Sequence, residues 1–283
     1  MNNKLGGLTL LPPDERDLKV GSFVTLPKLQ DLPKKFSLTP LTIKDQNADD
    51  NGDFCSAYGT CGASEIQEGV PLYPEFSFAA SKFLSGEPEG WGQNARSAVA
   101  GHVRFGASDI PAPVLTPKER RYFSNYPEEY KKKALTHIKE SYVKVTGPYD
   151  SYDDIRATIW KFRKEKRAVV FGLNWSWNLD DYYLTGTSEE GFGHMIYCIG
   201  WDEKGLICVN SAGKGAGRDG LHCISKETIN HFVPKYGAFM FIDVSPEQIK
   251  YMIENNIKLE DNWLVGLYKV FAQIFKDFLK IKG

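Results

Sequence analysis

Around Gly147 the chain changes rhythm, and that change constrains the fold more than any other feature of its 283 residues. Before it, apolar and small residues recur at helical spacing from Cys55 to Glu68, Phe76 to Leu84, Ala95 to Phe105 and Pro127 to Ser141. Gly and Pro punctuate these stretches around Gly86–Gly92 and Ile110–Pro117, as connections between helices do. After it, Ser151-x-x-Asp154 is a capping signal for one more helix on Ile155, Ile159 and Phe162. Then come short apolar runs bounded by Gly or Asp: Ala168–Leu173, Met195–Gly200, Gly205–Asn210, Gly220–Ser225 and Gly237–Val244. Such runs are the signature of neighbouring strands in a compact sheet or barrel. Helices first and strands second predict an α+β protein whose lobes meet along a cleft.

The same reading divides the chain. Residues 1–40 are rich in Pro, Gly and Leu without period, which predicts an extended segment lying across the surface. A helical lobe is expected over 41–146 and a β-rich lobe over 147–245. The remainder, 246–283, is expected to be a helical extension. There Trp263, Leu264, Leu267, Phe271, Ile274, Phe275 and Phe278 recur at three- and four-residue steps among lysines, an amphipathic pattern. Docking on the chain's own core or on a protein partner is favoured for it over a membrane surface.

Thirty-five basic residues balance 36 acidic ones, so no global field draws the chain to nucleic acid. The basic clusters Lys131–Lys133 and Lys161–Arg167 read as solvated helix faces. Five cysteines without a C-x-x-C pair argue against a disulfide framework or a zinc site, and neither a metal nor an organic cofactor is expected. The apolar stretch near the start is broken by Gly6, Gly7, Pro12 and Pro13, and no 18-residue apolar run occurs. These features predict a cytoplasmic-type chain with no signal peptide and no membrane span.

One cysteine stands apart. Cys55 follows the polar loop Asn47–Asp53 and opens the first helix, where backbone amides converge and a thiolate is stabilised. His194 follows 139 residues later, just after Gly193 at the mouth of an apolar strand, and Asn210 ends a strand 16 residues beyond that. A nucleophile, a base and a group to orient the base is the arrangement nucleophilic catalysis needs. Cys198, Cys208 and Cys223 sit inside apolar runs and read as core residues, and His102, His137, His222 and His231 lack a comparable setting.

From about Leu11 to Asp243 the chain resembles the papain-like cysteine peptidases. Ile43-Lys-Asp-Gln46 followed by Cys55-Ser-Ala-Tyr58 is similar to the family's glutamine and nucleophile region. Gly193-His-Met-Ile-Tyr-Cys-Ile-Gly-Trp-Asp202 resembles its histidine strand, and Asn210-Ser-Ala-Gly-Lys-Gly-Ala-Gly217 with Gly220 its Asn-Ser-Trp-Gly block. The interval from cysteine to histidine also falls within the roughly 130–150 residues expected of that type. The resemblance implies a two-lobe fold, helical on the left and a β-barrel on the right. It further implies a cysteine endopeptidase acting on a polypeptide substrate through Cys55, His194 and Asn210, with Gln46 at the oxyanion. Groove backbone would come from Gly90, Gly92 and Gly193.

Four departures qualify what the resemblance implies. The loop between Gln46 and Cys55 is long and carries Asp49, Asp50 and Asp53, which predicts an acidic cleft entrance. Ser56 replaces the aromatic that follows the family's nucleophile, and Ala212 replaces the indole that shields the histidine–asparagine hydrogen bond. No cysteine at Asp53 or Phe54 begins the family's left-lobe disulfide. Fewer than 55 residues precede Cys55, too few for a family-type propeptide, and Pro12-Pro-Asp-Glu-Arg-Asp17 resembles bacterial and viral members that lack one. A virion-associated setting is the alternative to a cytoplasmic one. Two other uses of the fold stay open: a binding or assembly protein with little proteolysis, and an acyl transferase.

Overall fold

The computed structural model describes residues 6–259. In chain order the elements are α1 (Val20–Phe23), β1 (Phe36–Ser37), α2 (Cys55–Glu68), α3 (Pro74–Ser85), α4 (Ala95–Phe105) and α5 (Glu128–Ala134). There follow β2 (Ser141–Lys144), α6 (Ser151–Lys161), β3 (Val169–Trp175), β4 (Tyr183–Leu184) and β5 (Phe192–Trp201). The last are β6 (Leu206–Val209), β7 (Leu221–Ile224), α7 (Lys226–Tyr236), β8 (Ala238–Ile242) and α8 (Pro246–Glu254). Four of the helices, α2 to α5, precede the main strands, and the sheet runs β2-β8-β3-β5-β6-β7-β4 with β1 paired to β5.

The sheet does not close into the expected barrel. Its end strands, β2 and β4, do not pair with each other. β4 is only two residues long, and the free edge of β2 is taken by the N-terminal segment, where Lys144 N donates to Leu18 O at 2.8 Å. An edge whose donors and acceptors are already used has no drive to find a second strand.

All seven residues of β3 are buried, as befits a strand flanked by β5 and β8 and packed against α7 and α2. Residues 55–66 of α2 are likewise all buried. This helix lies on β5 so closely that a Cβ at Gly62 would stand 2.3 Å from the Tyr197 ring. Only a residue without a side chain permits that approach, and it is what brings the start of α2 against the histidine strand. The helical part keeps a small core of its own, built from Phe76, Ala79, Ala80, Tyr126, Tyr130 and Ala134.

Several local expectations are corrected. The stretch expected to be helical from Pro127 to Ser141 stops being α-helical at Ala134, and Ser141–Lys144 instead pairs antiparallel with β8. The cap of α6 is Asp150, whose side chain accepts from Asp153 N, whereas Asp154 accepts from Gly147 N and Tyr149 N. α7 is not among the elements the sequence predicts. It starts with Ser225 accepting from Thr228 N and contains Pro234, which has no N–H to give the Asn230 carbonyl. Of the C-terminal extension, α8 carries a complete capping box between Ser245 and Gln248 and buries Ile249 and Met252. The rest of that expected helix, including Trp263 to Phe278, lies outside the described residues. Among the described residues no helix is long and apolar enough to cross a membrane.

Candidate active site

His194 is the first buried residue of β5, opposite Leu173 of β3, and Trp175, two residues along β3, shares its face. Its Nε2 meets Asn210 Oδ1 at 2.8 Å. What fixes the proton on that nitrogen is a relay behind it. His222 Nδ1 donates to the Asp181 carbonyl at 2.7 Å, which leaves His222 Nε2 to accept from Asn210 Nδ2 at 3.3 Å. Ser211 N also donates to Asn210 Oδ1 at 2.7 Å. The amide oxygen is thereby turned toward the ring, His194 carries its hydrogen on Nε2, and Nδ1 keeps a lone pair. That Nδ1 has no hydrogen-bond partner among the described residues.

Cys55 is the first residue of α2, with Phe54 as N-cap. The backbone amides of Met195, Ser56 and Cys55 itself favour its thiolate electrostatically. Met195 is the residue after His194, and one turn into α2 a Cβ at Gly59 would contact the Met195 side chain at 3.3 Å. Cys55 therefore lies at a helix start that packs on the histidine strand, where free backbone donors favour a thiolate.

Gln46 joins the two halves. Its Oε1 accepts from Ser211 Oγ at 2.5 Å, its Nε2 donates to Gly52 O at 2.8 Å, and its backbone amide donates to Ser211 O. One end is thus tied beside Asn210 and the other to the loop leading into Cys55. In that loop Asp49 and Asp50 are exposed while Asp53 is buried. Asp53 is paired with Arg121 at 2.6 Å and accepts from Gly92 N, and Asp49 accepts from Tyr58 Oη at 2.7 Å.

Of the expected groove glycines, the Gly193 carbonyl accepts a hydrogen bond from Leu8 N at 3.0 Å. Gly92 spends its amide on Asp53 and its carbonyl on Lys82 Nζ, and the Gly90 carbonyl accepts from Arg121. The open pairing edge lies one residue on, at Gln93, whose side chain is held by Ser56 Oγ at 2.7 Å. Ser56, which stands where the family has an aromatic, thus supports the groove edge.

The indole missing at Ala212 has a counterpart. Trp175 is buried and stands edge-on to His194 at 5.4 Å and to His222 at 5.0 Å, between centroids. It excludes water from the relay. Sequence reasoning missed His222 and Trp175. A register of β6 against β7 would have found the histidine: Cys208 pairs with His222, so Asn210 is its diagonal neighbour.

All four expected groups are buried, with Cys55 and His194 at 0% exposure. Burial pushes the Cys55 thiol up to about 12; the Met195 amide draws it down and the Asp53 charge adds to the rise. Burial likewise holds His194 down at about 4, the Asn210 hydrogen bond opposing it and the His222 charge reinforcing it. Both groups are neutral as they stand. The chain's own segment Gly6–Thr9 runs between the loop before Cys55 and the start of β5. Its backbone bonds to Gly52, Gly193 and Gln93. A cavity of about 610 Å³ between residues 15–22, Tyr142 and α8 touches none of these side chains. All five cysteines are free thiols, and the described residues hold no group of three or more potential metal ligands.

Solved structures of similar fold are known. The chain is similar to xylellain, a cysteine protease from Xylella fastidiosa, at 18% identity and TM-score 0.66, over 86% of this chain and 97% of that one. It is similar to procathepsin B S9 from Trypanosoma congolense at 14% identity and TM-score 0.57, over 86% and 87%. A third likeness is bromelain from Ananas comosus, solved with the E64 inhibitor, at 14% identity and TM-score 0.53, over 74% and 99%. No protein-family model matches the sequence, and no curated protein does. The likenesses establish a papain-like α+β fold.

Proposed function

We propose that this papain-like fold carries a cysteine endopeptidase, with Cys55 as nucleophile and His194 as base. The observation that carries the reading is the relay from Asp181 O through His222 and Asn210, which leaves His194 Nδ1 as a bare acceptor on the strand whose next residue, Met195, packs against the helix that Cys55 opens. In the first half-reaction His194 Nδ1 takes the thiol proton and the sulfur adds to a peptide carbonyl. The oxyanion accepts from the Cys55 amide and the second hydrogen of Gln46 Nε2. Collapse breaks the C–N bond, and the imidazolium returns its proton to the departing amine. Water, deprotonated by His194, then attacks the thioester, and collapse expels the thiolate with an acid product. Every proton taken up by His194 is given back.

Asn210 keeps the imidazole facing the sulfur, and Trp175 keeps its hydrogen bond dry. An amine in place of water would make the same acyl-enzyme an acyl transferase. A second reading is a papain-fold binding or assembly protein, and the complete burial of Cys55 and His194 favours it. The test compares hydrolysis of unfolded casein by the chain, by a Leu8→Asp variant that displaces segment Gly6–Thr9, and by the same variant with Cys55→Ala. Cleavage that appears in the Leu8→Asp variant and vanishes with the cysteine supports the peptidase. Cleavage that is absent throughout, or independent of Cys55, sinks it.

A further inference from the structure

All five cysteines are free thiols, so no covalent bond ties the loop before Cys55 to the rest of the groove. Asp53, where the resemblance puts the start of a disulfide, is a buried carboxylate instead. Its Oδ2 accepts from Gly92 N at 2.9 Å and its Oδ1 from Arg121 Nη2 at 2.6 Å. Arg121 also donates through Nη1 to Gly90 O at 3.2 Å, and Lys82 Nζ donates to Gly92 O at 2.7 Å. Side chains from the loop before α2, the last turn of α3 and the short turn Glu119–Arg121 thus converge on one stretch of backbone.

The cluster sits on apolar ground. Phe54 and Phe78 stack with ring centroids 3.7 Å apart, and the Arg121 guanidinium lies 5.7 Å from each. Lys82 is buried, with its Nζ 5.9 Å from the Phe78 ring. Burial draws its ammonium below the ordinary lysine range and the Arg121 charge reinforces the fall, while Asp53 and Glu87 oppose it. Asp53 is what lets two cations share this site, since without it they would repel each other with little water to screen them.

What the cluster holds is main chain. Gly92 has φ +58°, a conformation that favours glycine, and its amide and carbonyl are both taken, by Asp53 and Lys82. The next residue, Gln93, pairs through its own amide and carbonyl with an extended chain, at 2.7 Å to Gly7 O and 3.1 Å to Thr9 N. At the other end, Asp53 stands two residues before Cys55. One carboxylate therefore sets the separation between the nucleophile and the edge on which a substrate backbone would pair, and the Ser56–Gln93 bond adds a second link.

We infer that Asp53, Arg121 and Lys82 are positioning residues, an ionic clamp that holds the pairing edge at Gln93 in register with Cys55. A disulfide at this place would restrain the unfolded chain as well, whereas the clamp exists only in the folded protein, where Arg121 meets Asp53 from 68 positions away. The inference rests on the peptidase reading for the role of Cys55, but its geometry concerns how an extended chain is presented to that thiol, whether or not hydrolysis follows.

The experiment compares two alkylating reagents on the full-length chain carrying Leu8→Asp, in which residues 6–9 leave Gln93 free. Iodoacetamide needs only access to the thiol, whereas an acetyl-tetra-alanyl chloromethyl ketone must also pair along the groove. Rates at Cys55 are read by peptide mass spectrometry, with buried Cys61 as the control for folding. The ratio of peptidyl to iodoacetamide rate, referred to free cysteine, should fall about tenfold in Arg121→Leu and in Asp53→Ala and recover in part in Arg121→Lys. A merely structural role would move both reagents together and leave the ratio alone. An unchanged ratio in both variants with Cys61 protected, or a parent ratio no higher than that of free cysteine, overturns the inference. Where both variants expose Cys61, the milder Lys82→Met decides: a fall of about threefold upholds the clamp and an unchanged ratio overturns it. A fall in the ratio in a chain that never cleaves casein upholds the clamp and removes the peptidase.

Discussion

The two sides of the cleft are built on different principles. On the histidine side three polar residues from three strand ends are locked by hydrogen bonds at 2.7–3.3 Å and walled by an indole, and nothing there needs to move for Nδ1 to act. On the cysteine side Cys55 opens a helix, and a nearby segment bonded to Gly52 and Gly193 reaches an exposed residue at Leu10. In the proposed mechanism the base is preset by the sheet, whereas the state of the nucleophile depends on its burial. A preorganised base costs little reorganisation when the reaction begins.

The largest expected effect breaks both sides at once. In the Leu8→Asp chain, His194→Ala and Cys55→Ala should each lower kcat by about 10³-fold or more, and the double variant should be no worse than either, as for groups that act as a unit. Next comes the residue that spans the two sides. Gln46→Ala should cost about 10²-fold in kcat with little change in KM, since an oxyanion donor acts in the transition state; an equal loss in KM would move Gln46 to substrate binding. Smaller again is the relay. His222→Leu leaves Asn210 Nδ2 without its acceptor, so turnover should fall about tenfold through misorientation of Asn210 while Cys55 alkylation in the chain without Leu8→Asp stays unchanged. A matching change in that alkylation would mean the two sides are not separate.

How far these roles could be read beforehand differs by residue. Cys55, His194 and Asn210 each sit where a local rhythm starts or stops, so sequence alone marks them as ends of elements exposed to a cleft. His222 and Trp175 owe their places to cross-strand register, which is decided by the packing of β3, β5, β6 and β7 and not by any local pattern. The open sheet was hidden for a similar reason, because the partner that satisfies β2 is a segment more than 120 residues away in the chain. Residues 6–9 have no period at all. Their extended form is expected from Gly and Pro, but their position beside Gly52 and Gly193 comes from backbone complementarity with Gly92 and Gly193, to which hydrophobic patterning is blind.

The smallest effect separates the sides by pH. Folded His194 titrates near 4 and an ordinary histidine near 6.5, so between these values the unfolded chain holds more protons and stability falls as pH falls. Folded Cys55 titrates near 12 against an ordinary 9, so between these values the folded chain holds more protons and stability falls as pH rises. In urea titrations His194→Leu should lessen the loss between pH 7 and 5 and leave the alkaline limb alone, and Cys55→Ala should do the reverse. His102, held near 3 by burial, contributes to the acid limb of every variant and cancels in the comparison.

The most direct test of a nucleophile–base centre is the alkylation rate of Cys55 against pH in the Leu8→Asp chain, with and without His194→Ala. A fast reaction that persists well below pH 8 and is lost with the histidine is the predicted result, the mark of a thiolate paired with an imidazolium. An ordinary thiol profile, rising only toward pH 9 and identical in both chains, would contradict it.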